Sequence, residues 1–273
     1  MLFTSRAKRN RAGARVRWPA VATALFALLI AWAIAPGSLL AQTSPESSED
    51  ELAKSIVEKA DRVRFPAEGF EVAIAISTTA PDSSPDERQY RIYSKGHDDT
   101  IVMVTEPASD RGQALLMKGH DLWLFLPKVS QPVRLSLAQR LTGQVANGDL
   151  ARANFAGDYT AKLLRTEKID NDPLYVLELT AVDRSVTYHR VLYWVRQANF
   201  RPYRAEFYSL SDRLLKTCLY ESYKPLAGRE RPTRLVMQNA LVKDEQSVLE
   251  YSNMRLLNLP DRMFTKDFLK RLE

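Results

Sequence analysis

The sequence predicts a mainly β protein of the α+β class, in which helices cover the concave side of one curved antiparallel sheet. From Gly69 onward, apolar and polar residues alternate as they do in a strand that has one buried face. Short strand-like segments joined by turns then continue almost to the C-terminus, which is typical of antiparallel sheets that curl or close. No helix of crossover length alternates with these segments, so a parallel α/β fold is not expected.

Residues 1–41 have the composition of a secretory signal peptide. Residues 6–17 contain basic but no acidic side chains, an apolar run of 18 residues follows at 18–35, and the small residue Ala41 supplies a cleavage site. The alternative is an uncleaved membrane anchor, because 18 residues is the lower limit for a membrane span. We expect cleavage between Ala41 and Gln42 and export of the mature chain.

Removal of this segment leaves a neutral protein. Six of the 39 basic residues lie in the predicted leader, so 33 basic and 33 acidic residues remain. A neutral chain gives no electrostatic indication of binding to nucleic acid or to an anionic membrane, and neither is an expected partner. The one cysteine, Cys218, cannot form an intramolecular disulfide, and its alternating surroundings indicate a buried apolar position rather than a reactive thiol.

The mature chain is predicted to begin with a flexible acidic lead-in at 42–49, followed by a single domain at 50–273. A capping box formed by Ser48 and Glu51 would start an amphipathic helix that ends before Phe65-Pro66. The apolar face of this helix has to lie against another apolar surface. That face consists of Leu52, Ile56, Val57, Ala60 and Val63.

About eleven strands are predicted to follow this helix. The interval 127–173 interrupts them with a short helix at 135–141 and an irregular insert at 127–157, which is long enough to cover a pocket. A C-terminal helix capped by Asp261 would place Phe264, Phe268 and Leu269 on one face. The predicted strands are 70–77, 87–95, 99–105, 112–118, 121–126, 174–181, 189–196, 202–209, 214–223, 232–243 and 246–257.

The sequence contains none of the local motifs of nucleophile elbows, zinc proteases, phosphate-binding loops or paired-cysteine sites. The three histidines, His97, His120 and His189, are too few and too scattered to form a recognisable metal site. A pair of carboxylates that meet in space is an alternative that the sequence leaves open. We expect a protein that is not an enzyme and that has no metal or cofactor.

Several short segments, in order along the chain, carry a family resemblance. The most specific are Arg111–Leu116 and Leu122–Pro127; the others are 60–66, 148–150, 158–159, 193–195 and 259–265. Through these segments and their order, the chain from residue 50 to the C-terminus resembles the LolA-like outer-membrane lipoprotein-sorting proteins. Asn154 departs from that family, many members of which have an acidic residue there, and this indicates a divergent branch.

The resemblance implies an incomplete β-barrel whose helices cover an apolar cavity that accepts acyl chains. It implies a monomeric periplasmic carrier that takes a lipid, or the acyl chains of a lipoprotein, from an inner-membrane donor to an outer-membrane acceptor. The alternative is a periplasmic lipid- or protein-sensing regulatory module of the same fold, which acts through a partner protein. The first helix and the insert at 127–157 are the candidates for a lid over the cavity.

Two turns of the same sequence, at 95–98 and 118–121, predict which face of the sheet lines this cavity. Each turn places a glycine first in a two-residue loop, as a type II′ hairpin requires. If the lysine and the aspartate of each turn face each other across the two strands, this register determines which side chains of both hairpins point inward. Trp123 and Phe125 would lie on the opposite face beneath the insert, although a β-bulge would place them in the cavity instead. The predicted cavity residues are Tyr90, Ile92, Ile101, Met103, Leu115, Met117, Leu122 and Leu124.

Overall fold

The computed structural model describes residues 45–81, 83–152 and 154–269. The predicted signal peptide and its cleavage site lie outside these residues. The helices of the described chain are α1 (Pro45–Arg64), α2 (Asn147–Ala151), α3 (Phe155–Asp158) and α4 (Lys266–Leu269), with a 3-10 helix at Asp261–Met263. The strands are β1 (Phe70–Thr79), β2 (Asp86–Lys95), β3 (Asp99–Glu106), β4 (Ala114–Lys118), β5 (Asp121–Phe125), β6 (Val133–Leu135), β7 (Arg140–Thr142), β8 (Val145–Ala146), β9 (Tyr159–Ile169), β10 (Asp172–Ala181), β11 (Arg190–Arg196), β12 (Pro202–Tyr208), β13 (Leu214–Leu226), β14 (Arg229–Asn239) and β15 (Gln246–Leu256).

Thirteen strands form one antiparallel sheet in the order β6-β5-β4-β3-β2-β1-β15-β14-β13-β12-β11-β10-β9. The end strands β6 and β9 are not paired with each other, so the sheet is an incomplete barrel. Strands β7 and β8 form a separate two-stranded ribbon. The predicted mainly β fold with an antiparallel sheet and few helices is confirmed.

Helix α1 begins earlier than the sequence predicts. It starts at Pro45, a residue that is favoured at the first helical position, so Ser48 lies inside the helix rather than at its cap. Residues 45–49 of the predicted lead-in are therefore helical. The helix buries Ala53, Ile56, Val57 and Ala60, whereas Leu52 is exposed.

The interval 127–173 contains more regular structure than expected. Residues 135–141 do not form the predicted helix; they include the end of β6 and the start of β7. The interval also contains β9, an 11-residue strand that pairs with β10 and forms one end of the sheet. Gly143 lies beside β1 and β15, and a side chain there would collide with the hydroxyl groups of Thr78 and Ser247. This close approach fixes the β7–β8 ribbon over the adjacent ends of the central strands β1 and β15.

The main sheet has an apolar core on each face. The inner face, which α1, α2 and α3 cover, contributes side chains from β1–β5 and β9–β15 to one large cluster. The outer face carries a smaller cluster on β3–β5, formed by Ile101, Leu116 and Phe125 with Phe264 and Leu269 of the C-terminal segment. The two faces are therefore covered by different parts of the chain.

The C-terminal segment forms two short helical turns rather than one capped helix. Asp261 begins the 3-10 helix, where its carboxylate contacts the Lys95 ammonium instead of capping a helix. Phe264 is fully buried against the outer face, and Lys266 Nζ lies 4.0 Å from the centre of the Trp123 ring. In the described ranges, no helix combines the length and the apolar composition that crossing a membrane would need.

Candidate functional site

Six of the eight predicted cavity residues lie on the inner face. Strand pairing places Ile92 opposite Val102 and Leu115 opposite Leu124, so that these side chains point toward α1 and the insert. The six residues are Tyr90, Ile92, Leu115, Met117, Leu122 and Leu124.

The other two, Ile101 and Met103, lie on the outer face, and their predicted placement is wrong. Lys95 pairs with Asp99 rather than Asp98, so the first turn has three residues instead of two. A shift of one residue moves every side chain of a strand to the other face. The second turn has the predicted two-residue loop, with Gly119 at a positive φ of 58°.

Asp98 accounts for the longer first turn. Its carbonyl oxygen accepts a hydrogen bond from Gly119 N at 2.8 Å, and its carboxylate lies 2.9 Å from Arg152 Nη1. Both contacts draw Asp98 out of the β2–β3 ladder toward the second turn. The two turns of the same sequence therefore differ in their aspartates: Asp98 contacts Arg152 and Gly119, whereas Asp121 contacts Arg134 and remains paired with Lys118.

Arg152 connects both turns to the end of α3. Its Nη1 donates to the carbonyl oxygens of His97 and Gly119, each at 3.2 Å, while Nε donates to Asp158 Oδ2 at 2.6 Å. His120 Nε2 lies 3.0 Å from the other Asp158 oxygen. Within the described ranges, no group of three or more histidine, cysteine, aspartate or glutamate side chains is arranged to hold a metal ion.

Helices α1 and α3 fill the inner face of the incomplete barrel. Phe155 of α3 packs edge-on against Tyr159 and Tyr193, with ring centres 5.5 and 5.3 Å apart. The cavity that Phe155 and Tyr159 line has a volume of about 20 Å³, which is room for roughly one water molecule. The structure therefore shows the inner face in a closed arrangement, with the protein's own side chains against the apolar strands.

A buried ion pair lies at the C-terminal end of α1, between the helix and this apolar face. Arg64 Nη1 is 3.2 Å from Asp61 Oδ1, and the side chains are only 8% and 3% exposed. The guanidinium also lies 4.3 Å from the centre of the Phe155 ring. Asp61 Oδ2 accepts a hydrogen bond from Ala156 N at 2.8 Å, which joins α1 to α3. We call these two side chains the α1 latch.

The latch is a polar element in an apolar site, and burial raises the pKa of Asp61 to about 6 despite the nearby Arg64. Among the described side chains, the Tyr193 hydroxyl is buried close by without a hydrogen-bond partner. The sequence analysis missed the latch. The signal that could have found it is the spacing of Asp61 and Arg64, three residues apart, on the side of the helix that carries Val57 and Ala60.

A second buried ion pair anchors the insert to the sheet. Lys216 Nζ on β13 lies 2.6 Å from Asp149 Oδ2 on α2, and the Tyr188 hydroxyl donates to the same carboxylate at 2.9 Å. Asp149 also accepts from Ala146 N at 2.8 Å. Cys218 follows Lys216 by two residues on β13 and so lies on the same face of the strand. It is fully buried, and burial raises the pKa of its thiol to about 12. These contacts hold the insert over the inner face.

Comparison with known proteins identifies relatives of this arrangement. A family model described as that of an uncharacterized protein matches residues 96–271. A LolA superfamily protein from Nitrosomonas europaea is 62% identical, with a TM-score of 0.77 over 79% of this chain and 98% of that one. No curated protein matches the chain.

Two further solved structures share the fold at 22% identity. One is a DUF1329 family protein from Desulfovibrio piger, with a TM-score of 0.71 over 81% of this chain and 99% of that one. The other is a putative outer membrane lipoprotein-sorting protein domain from Vibrio parahaemolyticus, with a TM-score of 0.70 over 81% of this chain and all of that one. At this identity, both comparisons support the fold alone.

Proposed function

This chain belongs to the LolA superfamily, and from that premise we propose that it is a periplasmic carrier of a lipid or of the acyl chains of a lipoprotein. The observation that supports the proposal is the inner face of the unclosed sheet. Its apolar side chains are covered by the helices α1, α2 and α3 rather than by a second sheet. A packed helix can move away from a sheet at a lower cost than a hydrogen-bonded strand can.

The cargo would replace the helices on the inner face. Each methylene group that leaves water contributes about 0.8 kcal/mol, so one long acyl chain supplies ample binding free energy. Release is the harder step, because it requires that closure over the empty face be almost as favourable as cargo binding. Ile56, Val57 and Phe155 supply the apolar contacts of the closed state.

The α1 latch would set this balance. Apolar contacts alone would hold α1 tightly closed, whereas two charges buried with it lose their hydration and make closure less favourable. Asp61 and Arg64 compensate each other only while the helix is closed; once it opens, water solvates both. The latch therefore keeps the closed and open states close in free energy, as a carrier that both loads and unloads requires.

Export and partners complete the proposal. The N-terminal 41 residues act as a signal peptide, and mass spectrometry of the exported protein should show a chain that begins at Gln42. The carrier works as a monomer without a cofactor between an inner-membrane donor and an outer-membrane acceptor. A chain retained in the membrane with residues 6–17 intact would contradict this part of the proposal.

Mass spectrometry of the natively purified protein, followed by titration with a fluorescent acyl probe, tests the carrier function. Co-purified lipid and saturable binding of the probe are expected. Leu124→Gln, on the inner face, should weaken binding by about tenfold or more, because it places an amide against the acyl chain. Leu164→Gln, at an exposed position on β9, is the matched control and should bind as the wild type does. A folded protein that purifies with a stoichiometric protein instead of lipid would contradict the carrier and favour a regulatory module.

A further inference from the structure

A large open cavity lies on the outer face of the sheet, away from the proposed cargo site. It is a groove of about 860 Å³ between strands β3–β5, the loop at 126–131 and the end of α4. Met103, Ala114 and Phe125 line it from the sheet, and Val129 and Leu269 line it from the loop and the helix. Its volume lies within the range of about 300–1,000 Å³ that is typical of small-molecule sites.

The groove is open in the structure and is lined largely by apolar atoms. Met103 is only partly buried, and Val129 is 50% exposed, so an apolar ligand could contact both without moving the sheet. Gly112 lies at φ +90° against Pro127, where an added methyl would come within 3.1 Å of the proline ring. The absence of a side chain at this position lets the loop curve over the strand ends.

Two cations, Arg111 and Lys128, line the groove, and none of its described lining residues is acidic. Arg111 is oriented by the carbonyl oxygen of Thr105 at 3.1 Å and by Glu106 at 2.6 Å. Lys128 is exposed, and its backbone adopts a positive φ of 65° within the loop. Because Glu106 already pairs with Arg111, Lys128 is the cation that the groove offers to a ligand. The apolar lining together with this ammonium complements a ligand that has one long apolar part and one negative charge.

We propose that this outer groove binds a long-chain fatty acid, with the acyl chain along Met103, Ala114 and Phe125 and the carboxylate at Lys128. An acyl chain matches the apolar lining, and a carboxylate at the groove edge pairs with the Lys128 ammonium, since Arg111 is already paired with Glu106. The site goes beyond the proposed carrier function. It lies on the opposite face of the sheet and does not require α1 to open.

Photolabelling and titration with the mature protein test the site. A palmitic acid analogue with a photoactivatable group in the chain should label peptides that contain residues 103–131 or 266–269. Labelling confined to α1 and the inward side of β9–β15 would overturn the groove and leave the carrier proposal intact. Labelling of the groove alone would support the groove and count against the carrier proposal.

Charge variants test the headgroup. Lys128→Glu should weaken binding at the groove by about fivefold or more, whereas Lys168→Glu, an exposed control on β9, should leave it unchanged. Both lysines are exposed, so both variants should keep the melting temperature of the wild type. Hexadecanol, which has the same chain without the charge, should bind about fivefold more weakly than palmitate. Equal binding by the two lysine variants, or equal affinity for the alcohol and the acid, would overturn the proposal.

Discussion

Replacing Asp61 by asparagine should remove a pH dependence of α1 opening. In the closed state the Asp61 side chain is 3% exposed, and burial raises its pKa to about 6 from an ordinary value of 3.8. Because burial raises this pKa, the protonated carboxyl group favours the closed helix. The stabilisation is fully present below about pH 4 and is lost as the pH rises through 6. The wild-type helix should therefore be more firmly closed in mild acid than at neutral pH.

The size of the effect follows from the two pKa values. For a group that titrates near 6 when closed and near 3.8 when open, raising the pH from 5 to 7.5 lowers the free energy of opening by about 1.4 kcal/mol. That is roughly a tenfold change in the opening equilibrium. Asparagine can still accept the hydrogen bond from Ala156 N but cannot titrate, so the free energy of opening in the variant should lack this contribution to the pH dependence.

Hydrogen exchange of the α1 amides, corrected for intrinsic rates, measures the opening. The wild-type protection factors should fall by about tenfold relative to those of Asp61→Asn between pH 5 and 7.5. The comparison with Asp61→Asn is needed because His97 lines the same surface cavity as Asp61. Burial lowers the pKa of His97, and its protonation favours opening as the pH falls. Arg64 and Asp158 also face Asp61, but they are present in both proteins. Parallel pH profiles for the two proteins would refute the role assigned to the latch.

Three further outcomes are expected. Lys216→Met should destabilise the protein by about 3–5 kcal/mol in denaturant titrations, since it leaves the Asp149 carboxylate buried without its cation; full stability would contradict this role. Gly143→Ala should cost about 1–3 kcal/mol, because the new methyl group meets two hydroxyl groups of β1 and β15 at a positive φ, and an unchanged melting temperature would argue against the close approach. Cys218 should resist alkylation in the native protein and react in denaturant; fast native labelling would contradict its burial.

The sequence predicted those elements whose apolar pattern is strong. Strand β1 alternates without interruption, and α1 repeats small and branched apolar residues at helical spacing, so both were predicted from periodicity. Strand β9 was missed because it is an end strand. Only Tyr159 and Ala161 of its residues are buried, and charged residues occupy much of the rest, which resembles a polar loop in the sequence.

The face assignment shows where local sequence stops being informative. The two Lys-Gly-His-Asp turns are the same in sequence, yet one closes with two residues and the other with three. Arg152, more than 50 residues away, contacts Asp98 and thereby lengthens the first turn. A hairpin rule cannot anticipate a contact from a distant part of the chain, and for this reason Ile101 and Met103 were placed on the wrong face.

The end strand β9 also affects how copies of the protein meet one another in solution. An unpaired strand edge can hydrogen-bond to the same edge of another molecule and start a filament. On β9, Lys162 and Lys168 are exposed, while Arg165 is paired with Glu167, so two such edges that approach each other bring the lysine charges together. Neutralising the two lysines should remove that repulsion and favour edge-to-edge pairing. The charges on this edge are thus expected to disfavour edge-to-edge pairing between copies of the protein.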